Sequence, residues 1–231
     1  MKVAFFRPKS RIKELDKFKQ AGFEVLNAPL LDTVVNEREI RRFSRACFDV
    51  AIVTSMTAVE ILKEFGAIEK LKGKRVIAIG SKTAEKLRSN GIDCDIPEKF
   101  DSRSIVKEFK DEFRGLKIAL VRSDSGDPVL CEIGDTDEFC IYKIVKNKGK
   151  EQLKLVEKVC KGEVDFAVFS SRMMVRCFFE ICKSLGFKGP KCRVIAIGPP
   201  TKKELRRFGV ESFMPEEYTF DGILNLLKTI A

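Results

Sequence analysis

The sequence contains no histidine and no tryptophan, and only two of its 231 residues are tyrosine. The missing histidine excludes every mechanism in which an imidazole activates a serine or cysteine or binds a metal ion. No Cys-x-x-Cys pair occurs among the eight cysteines, so a tetrahedral zinc site is not predicted. We interpret the cysteines as buried, reduced thiols. No apolar run approaches the roughly 20 residues of a membrane span, so we predict a soluble cytoplasmic protein.

The charge is strongly positive. The chain has 44 Lys and Arg against 34 Asp and Glu, a formal net charge of +10. A basic protein favours anionic partners, which include nucleic acid, an acidic membrane or a polyanionic small molecule. The alternative is a lysine-rich surface without a specific partner. The chain has no block of five or more like charges, so it shows no sign of a nucleic-acid-binding tail.

One six-residue sequence occurs twice. Arg75-Val-Ile-Ala-Ile-Gly80 recurs unchanged 118 positions later, as Arg193-Val-Ile-Ala-Ile-Gly198. Two further pairs of segments match at offsets of 116 and 115: Phe48–Ser55 with Val164–Ser171, and Lys2–Arg7 with Lys117–Arg122. Solenoid repeats have periods of about 20–50 residues, so the much longer period predicts duplicated domains.

Short apolar segments alternate with helical periodicity. Six of these segments are apolar throughout, as expected for parallel strands that helices cover on both faces: Val3–Phe6, Val50–Val53, Val76–Ile79, Ile118–Val121, Phe166–Phe169 and Val194–Ile197. A helix is predicted after every strand except the fourth, which indicates a doubly wound α/β fold. Thr57 with Glu60, and Thr201 with Glu204, have capping-box spacing and are predicted to start helices.

Polar loops follow four of the predicted strands in matching pairs. Thr54-Ser55 corresponds to Ser170-Ser171, and Ser81–Thr83 corresponds to Pro199–Thr201. Ligands of an open parallel sheet bind at the carboxyl ends of its strands. Hydroxyl and backbone N–H groups at helix N-termini bind carboxylate or phosphate there. Simple N-capping is the alternative for each residue.

Two arginines and a tyrosine are further candidates. Arg7 and Arg122 end equivalent strands, where a guanidinium can bind a carboxylate with two hydrogen bonds or form a surface ion pair. Tyr142 is in a predicted extended segment, where its phenol could donate a proton or simply pack. Neither a P-loop nor a Gly-x-Gly-x-x-Gly sequence occurs, so no nucleotide cofactor is predicted.

These features together resemble the uroporphyrinogen-III synthase family. The residues that carry the resemblance are Arg7; Phe48-Asp49 with Thr54-Ser55 and Ala58-Val59; Ala78-Ile79-Gly80 with Thr83-Ala84, Leu87 and Gly91; Ile141-Tyr142; and Ala196-Ile197-Gly198-Pro199 with Thr201. The resemblance implies two flavodoxin-like lobes, each a doubly wound parallel sheet, with the substrate held between them. It implies one lobe of residues 1–30 and 147–231, another of residues 33–139, and a connecting two-stranded β-ladder of residues 31–32 and 140–146.

The resemblance also implies a cofactor-free lyase of tetrapyrrole synthesis. The family converts linear hydroxymethylbilane to uroporphyrinogen III, with loss of water, ring closure and inversion of ring D. The substrate carries eight carboxylates, which suits a protein of net charge +10. Because the substrate closes spontaneously to the uninverted isomer, the enzyme chiefly holds one conformer, a task that needs no histidine or metal. The implied protein is a monomer that works either alone or in transient contact with the preceding synthase.

The resemblance assigns roles to individual residues. Tyr142 matches the family tyrosine that is proposed to help the hydroxyl leave ring A. The residues predicted to bind substrate carboxylates are Arg7, Ser55, Thr83, Arg122, Ser171 and Thr201. The sequence departs from the family pattern at three positions. Pro200 replaces a residue that is often threonine in the family, and Met56 and Arg172 stand where proline commonly follows the serine.

Two other functions are compatible with the same features. A two-lobed cytoplasmic binding or sensor protein would close on a polycarboxylate ligand without catalysis. A nucleic-acid-binding module would use the positive charge, but the scattered charges and the scarcity of tyrosine and tryptophan disfavour it.

Overall fold

The chain folds into two units, each built on one sheet with helices on its faces. The computed structural model describes the backbone of residues 1–231 and every side chain except those of Lys9 and Ser10. Unit 1 comprises Met1–Asp32 and Val145–Ala231, and unit 2 comprises Thr33–Ile144. None of the described helices combines the length and the apolar composition needed to cross a bilayer.

Unit 1 contains a four-stranded parallel sheet of order β2-β1-β8-β9. Its strands are β1 (Lys2–Phe5), β2 (Glu24–Asn27), β8 (Phe166–Phe169) and β9 (Arg193–Ala196). Its helices are a 3-10 helix (Lys9–Leu15), α1 (Asp16–Gln20), α6 (Lys150–Lys161), α7 (Arg172–Ser184), α8 (Pro199–Arg207) and α9 (Phe220–Ile230).

Unit 2 contains most of a five-stranded sheet of order β3-β7-β6-β4-β5, in which β7, β6, β4 and β5 are parallel. Its strands are β3 (Leu31–Val35), β4 (Val50–Val53), β5 (Arg75–Ala78), β6 (Lys117–Ser123) and β7 (Asp135–Lys146). Its helices are α2 (Glu37–Arg45), α3 (Met56–Glu64), α4 (Ser81–Arg88), α5 (Ser102–Phe109) and two 3-10 helices (Ala67–Leu71 and Pro128–Glu132). Strands β3 and β7 both continue across the boundary between the units.

The predicted α/β fold with mostly parallel sheets is confirmed, and a strand occurs at each of the six predicted segments. The repeated sequence forms β5 and β9, which occupy the same edge position beside β4 and β8. Strand β1 is in the sheet of β8 and β9, whereas β6 is in the sheet of β4 and β5. The segment after β6 forms no α-helix before β7, as the periodicity predicts.

Both faces of each sheet are buried, because residues of a strand point alternately to its two sides. In β4, Ala51 and Val53 pack in one core cluster, whereas Val50 and Ile52 pack in another. Strand β1 alternates in the same way between two clusters of unit 1. Complete burial of one such side chain contributes about 1.5–3 kcal/mol to stability, so these short apolar strands supply much of the core.

Two details of the sequence prediction are wrong. Helix α3 begins at Met56 with Ser55 as its N-cap, and α8 begins at Pro199 after Gly198, so neither Thr57 nor Thr201 is a cap. Both helices start earlier than the capping-box pattern predicts. Ser55 and Gly198 are extended, and their carbonyl oxygens accept backbone N–H groups of the first turns of α3 and α8. The cysteines are free thiols, but Cys47 and Cys131 are exposed rather than buried.

Candidate functional site

Tyr142 lies in β7 at a point where the pairing with β6 is irregular. The register moves from Arg122 opposite Cys140 to Ser123 opposite Tyr142. Neighbouring residues of a regular strand point to opposite faces, yet Ile141 and Tyr142 belong to the same core cluster. The irregularity therefore turns the Tyr142 side chain to the face of the sheet that α3 and α4 cover.

A hydrogen bond joins the side chains of Tyr142 and Ser55. Their hydroxyl oxygens are 2.8 Å apart. Ser55 precedes α3, and its Oγ also accepts the backbone N–H of Ala58 at 3.1 Å. Tyr142 is only 6% exposed, and its backbone carbonyl accepts the N–H of Asp124 at 3.1 Å. The structure thus brings together two predicted site residues that are 87 positions apart in the chain.

Ser171 has the same capping role in unit 1. Its Oγ accepts the backbone N–H of Met174 at 3.1 Å, at the start of α7. The backbone of Ser171 (φ −159°, ψ 156°) matches that of Ser55 (φ −160°, ψ 153°). Among the described side chains, the Ser171 hydroxyl has no tyrosine partner. Its proton is therefore available to a ligand. Arg172, the first residue of α7, is exposed.

Helices α4 and α8 start differently from α3 and α7. Their N-cap residues are glycines, and no described side chain caps them. The first two residues of α4, Ser81 and Lys82, present backbone N–H groups. In α8 these two places are occupied by Pro199 and Pro200, and proline has no N–H. Only α4 therefore offers backbone donors to an anion at this position.

Thr83 and Thr201 occupy the third position of these two helices. Both residues are buried, with relative exposures of 5% and 3%. Their backbone N–H groups donate to the carbonyls of Gly80 and Gly198, each at 3.1 Å. Their hydroxyls have no hydrogen-bond partner within the part of the chain that the structure describes. Neither threonine is a cap, so both hydroxyls can donate to a ligand.

Arg7 follows β1 and is partly occupied by contacts within unit 1. Its Nη2 donates to Glu14 Oε2 at 2.6 Å, and its Nη1 is 3.5 Å from Ser170 Oγ. The guanidinium carbon lies 4.6 Å from the centre of the Phe220 ring. The buried Nε has no hydrogen-bond partner among the described residues. A carboxylate ligand would therefore compete with Glu14 for this guanidinium.

Comparison with known proteins decides the family. The family model described as uroporphyrinogen-III synthase HemD matches residues 13–225, which is most of the chain. The chain belongs to this family. It is 38% identical to an Archaeoglobus fulgidus protein assigned as a uroporphyrinogen-III synthase, over 99% of both chains. It is 24% identical to the uroporphyrinogen-III synthase of Chlorobaculum parvum, over 67% of this chain and 65% of the other.

Solved structures of uroporphyrinogen III synthases share the fold. The structure of a mutant enzyme from Thermus thermophilus has a TM-score of 0.69 at 21% identity, covering 100% of this chain and 98% of the other. The Helicobacter pylori enzyme has a TM-score of 0.63 at 16% identity, covering 100% and 99%. At these identities the likeness supports the α/β fold alone.

Arg122, which is predicted to bind a substrate carboxylate, is occupied by contacts within unit 2 of this uroporphyrinogen-III synthase family member. It is 4% exposed, and its Nε donates to the carboxylate of Glu138. Its Nη1 donates to the carbonyl of Asp127, and its Nη2 is 3.6 Å from Cys131 Sγ. The two Nη atoms therefore hold the segment between β6 and β7, and Nε is bound to Glu138 in β7. Because the residue is buried, little of the guanidinium is accessible to a substrate carboxylate.

Sequence reasoning missed Glu138, the partner of Arg122. The hydrogen bond from Arg122 lowers the pKa of Glu138 below its ordinary value of 4.5, against an opposing effect of burial. Burial, followed by the hydrogen bond to Glu138, raises the pKa of the Cys140 thiol to about 11. The charge pattern did not identify Glu138 as the partner of Arg122, because Glu138 is one of several acidic residues in the segment Asp135–Glu138.

A surface cavity of about 440 Å³ lies at the amino ends of strands β4 and β6 in unit 2. Its lining includes Phe48 and Asp49, which precede β4, and Lys117, which begins β6. Ser55 follows the carboxyl end of β4, and Tyr142 in β7 is paired with Ser123, the last residue of β6. The cavity is therefore separate from the predicted site, and ligands of parallel sheets bind at the carboxyl ends.

Proposed function

We propose that this chain is a uroporphyrinogen-III synthase, which closes hydroxymethylbilane to uroporphyrinogen III with loss of water and inversion of ring D. The observation that carries the proposal is the family match over residues 13–225. The reaction is that of a cyclising carbon–oxygen lyase and requires no cofactor. The side chains at the proposed site are hydroxyl groups, a phenol and a guanidinium, which suit hydrogen bonding and proton donation.

Tyr142 is the proposed proton donor. Its phenol protonates the hydroxyl on the ring A methylene as the carbon–oxygen bond breaks, which releases water and leaves an azafulvene cation. The substituted α-carbon of ring D attacks this cation, which forms a spiro intermediate. The bond between that carbon and the methylene of ring C then breaks, and the released methylene, now the cation on ring C, is attacked by the unsubstituted α-carbon of ring D. The last step removes a proton from ring D, and that proton can restore the phenol. The net change is the loss of one water, so the catalyst is regenerated without another reactant.

Substrate carboxylates are proposed to bind at the helix starts. The backbone N–H groups of Ser81 and Lys82 and the hydroxyl of Thr83 form one anion site in unit 2. In unit 1, Ser171 and Thr201 contribute hydroxyl donors, and Arg7 contributes its guanidinium. The uncapped start of α4 supports this assignment, since helix N-termini attract negative charge. Arg122 is left out because Glu138 occupies it.

We also propose that units 1 and 2 are the two lobes of the family and that β3 and β7 are the connecting ladder. The hydrogen-bonded order of β3 and β7 and their passage across the boundary support this proposal. An origin by internal duplication would explain why an identical sequence forms the edge strands β5 and β9.

Incubation with freshly prepared hydroxymethylbilane tests the proposed function. Oxidation of the products to uroporphyrins, followed by chromatography, separates the type III isomer from the type I isomer that forms spontaneously. We expect the type III isomer to predominate. Formation of type I alone, at the rate seen without protein, would contradict the proposal and would leave a binding protein without catalysis as the better description.

A further inference from the structure

We infer that Ser55 is a positioning residue for Tyr142 rather than a contact for a substrate carboxylate. It holds the phenol oxygen at 2.8 Å and directs the phenol proton towards the leaving hydroxyl. The inference rests on the proposed function, because it assigns a role within that reaction.

The hydrogen-bonding capacity of a serine hydroxyl carries the argument. The group has one proton to donate and two lone pairs that accept. The N–H of Ala58 uses one lone pair of Ser55, at 3.1 Å. When Tyr142 donates its proton to the substrate, the Ser55 proton must point to the phenol oxygen. Ser55 then has no donor left for a carboxylate.

The local backbone fixes both partners before the substrate arrives. Ser55 is extended and is tied to the first turn of α3, whereas Tyr142 is turned inward by the irregular pairing of β7. The positive end of α3 lies beside the phenol and would stabilise the negative charge that develops on its oxygen. A proton donor that is already oriented lowers the activation barrier more than a mobile one, because no free energy is needed to orient it in the transition state.

Comparison with Ser171 separates this role from capping. Ser171 has the same backbone conformation and the same N–H contact, at 3.1 Å, but no phenol partner among the described side chains. Capping therefore explains the bond between Ser55 and Ala58, but it does not explain the bond between Ser55 and Tyr142. The second bond is specific to unit 2.

The test uses Ser55→Gly in the full chain. Glycine is tolerated at an N-cap, so the hydroxyl is lost at little cost to folding. We expect kcat for type III formation to fall about 3- to 10-fold, the range of a single neutral hydrogen bond, with KM unchanged. Ser55→Thr retains the oxygen and is expected to restore kcat. Asp101→Gly, which removes the cap of α5, is the matched control. It should cost folding as little as Ser55→Gly does and should leave kcat unchanged.

A second variant checks that the effect passes through the phenol. In the Tyr142→Phe background, Ser55→Gly should cause no further loss of kcat. Independent losses that multiply would overturn the inference, as would a rise in KM with kcat unchanged, which identifies a carboxylate contact. The wild-type assay is separate: if wild type forms only the type I isomer, the proposed function fails before the role of Ser55 is tested.

Discussion

The loops at the carboxyl ends of the two sheets share a backbone plan but differ in chemistry. After β4 and β8, a serine caps the next helix in both units, yet only Ser55 also bonds a tyrosine in the described part of the chain. After β5 and β9, a glycine precedes an uncapped helix in both units. Backbone donors follow in α4, whereas two prolines follow in α8. The repeated sequence therefore specifies the strand and the turn but not the groups offered to a ligand.

This difference predicts that the two units contribute differently to the reaction. Unit 2 has the proposed proton donor, Tyr142, and the helix start that can bind an anion through its backbone. Unit 1 has hydroxyl groups and one partly occupied guanidinium. These groups can bind substrate carboxylates, but they do not face a group that is proposed to gain negative charge during the reaction. Substitutions in unit 2 should therefore affect kcat as well as KM, whereas substitutions in unit 1 should affect KM and stability.

Tyr142→Phe should have the largest effect. Loss of a general acid lowers the rate about 10²–10⁴-fold, so type III formation should nearly stop while the spontaneous type I product continues. The phenyl ring keeps the core contacts, so the circular dichroism spectrum should remain that of wild type. Tyr218→Phe is the matched control, because Tyr218 is the only other tyrosine and is exposed in unit 1. Full activity of Tyr142→Phe would contradict the proposal that unit 2 supplies the proton donor and unit 1 does not.

Lys82→Pro gives α4 the proline that α8 has at the same position. Proline is accepted in the first turn of a helix, so the protein should fold. A hydrogen bond to a charged group contributes roughly 1.5–3 kcal/mol, so loss of this N–H should raise KM about tenfold or more. Lys82→Ala removes the side-chain charge but retains the N–H, and it should raise KM less. Equal KM values for the two variants would show that the Lys82 charge, rather than the backbone, binds the substrate.

Ser171→Ala should mainly reduce the stability of unit 1. The substitution removes the cap on α7, and loss of a serine cap costs about 1 kcal/mol. Urea unfolding followed by circular dichroism measures this change. Thr201→Val is the comparison within the same unit: its hydroxyl has no partner in the described part of the chain, so the free energy of unfolding should change less. A larger loss for Thr201→Val would contradict the distinction between capped and uncapped helix starts.

The sequence predicts the strands, the fold class and most candidate residues, because short apolar segments and polar loops are local patterns. It could not predict that Tyr142 meets Ser55, because that contact depends on the register shift between β6 and β7. Nor could it distinguish Arg7 from Arg122. Both end equivalent strands, but only the structure shows that Arg122 is buried against Glu138. The serines were identified as capping or ligand residues, and only their partners separate the two roles.

Glu138→Gln should have the smallest effect, because the carboxylate side chain remains 34% exposed to solvent. The hydrogen bond from Arg122 holds the pKa of Glu138 below 4.5, so the charged form stabilises the fold at neutral pH. That contribution is complete above the ordinary pKa and is lost as the pH falls from about 4.5 through the lower pKa of the folded state. Glu138→Gln should therefore be less stable than wild type at about pH 7, and the difference should disappear in acid. Urea unfolding at a series of pH values measures it. A difference that stays constant down to about pH 3 would show that the ion pair is not its origin, and that Arg122 holds the loop through Asp127 and Cys131 instead.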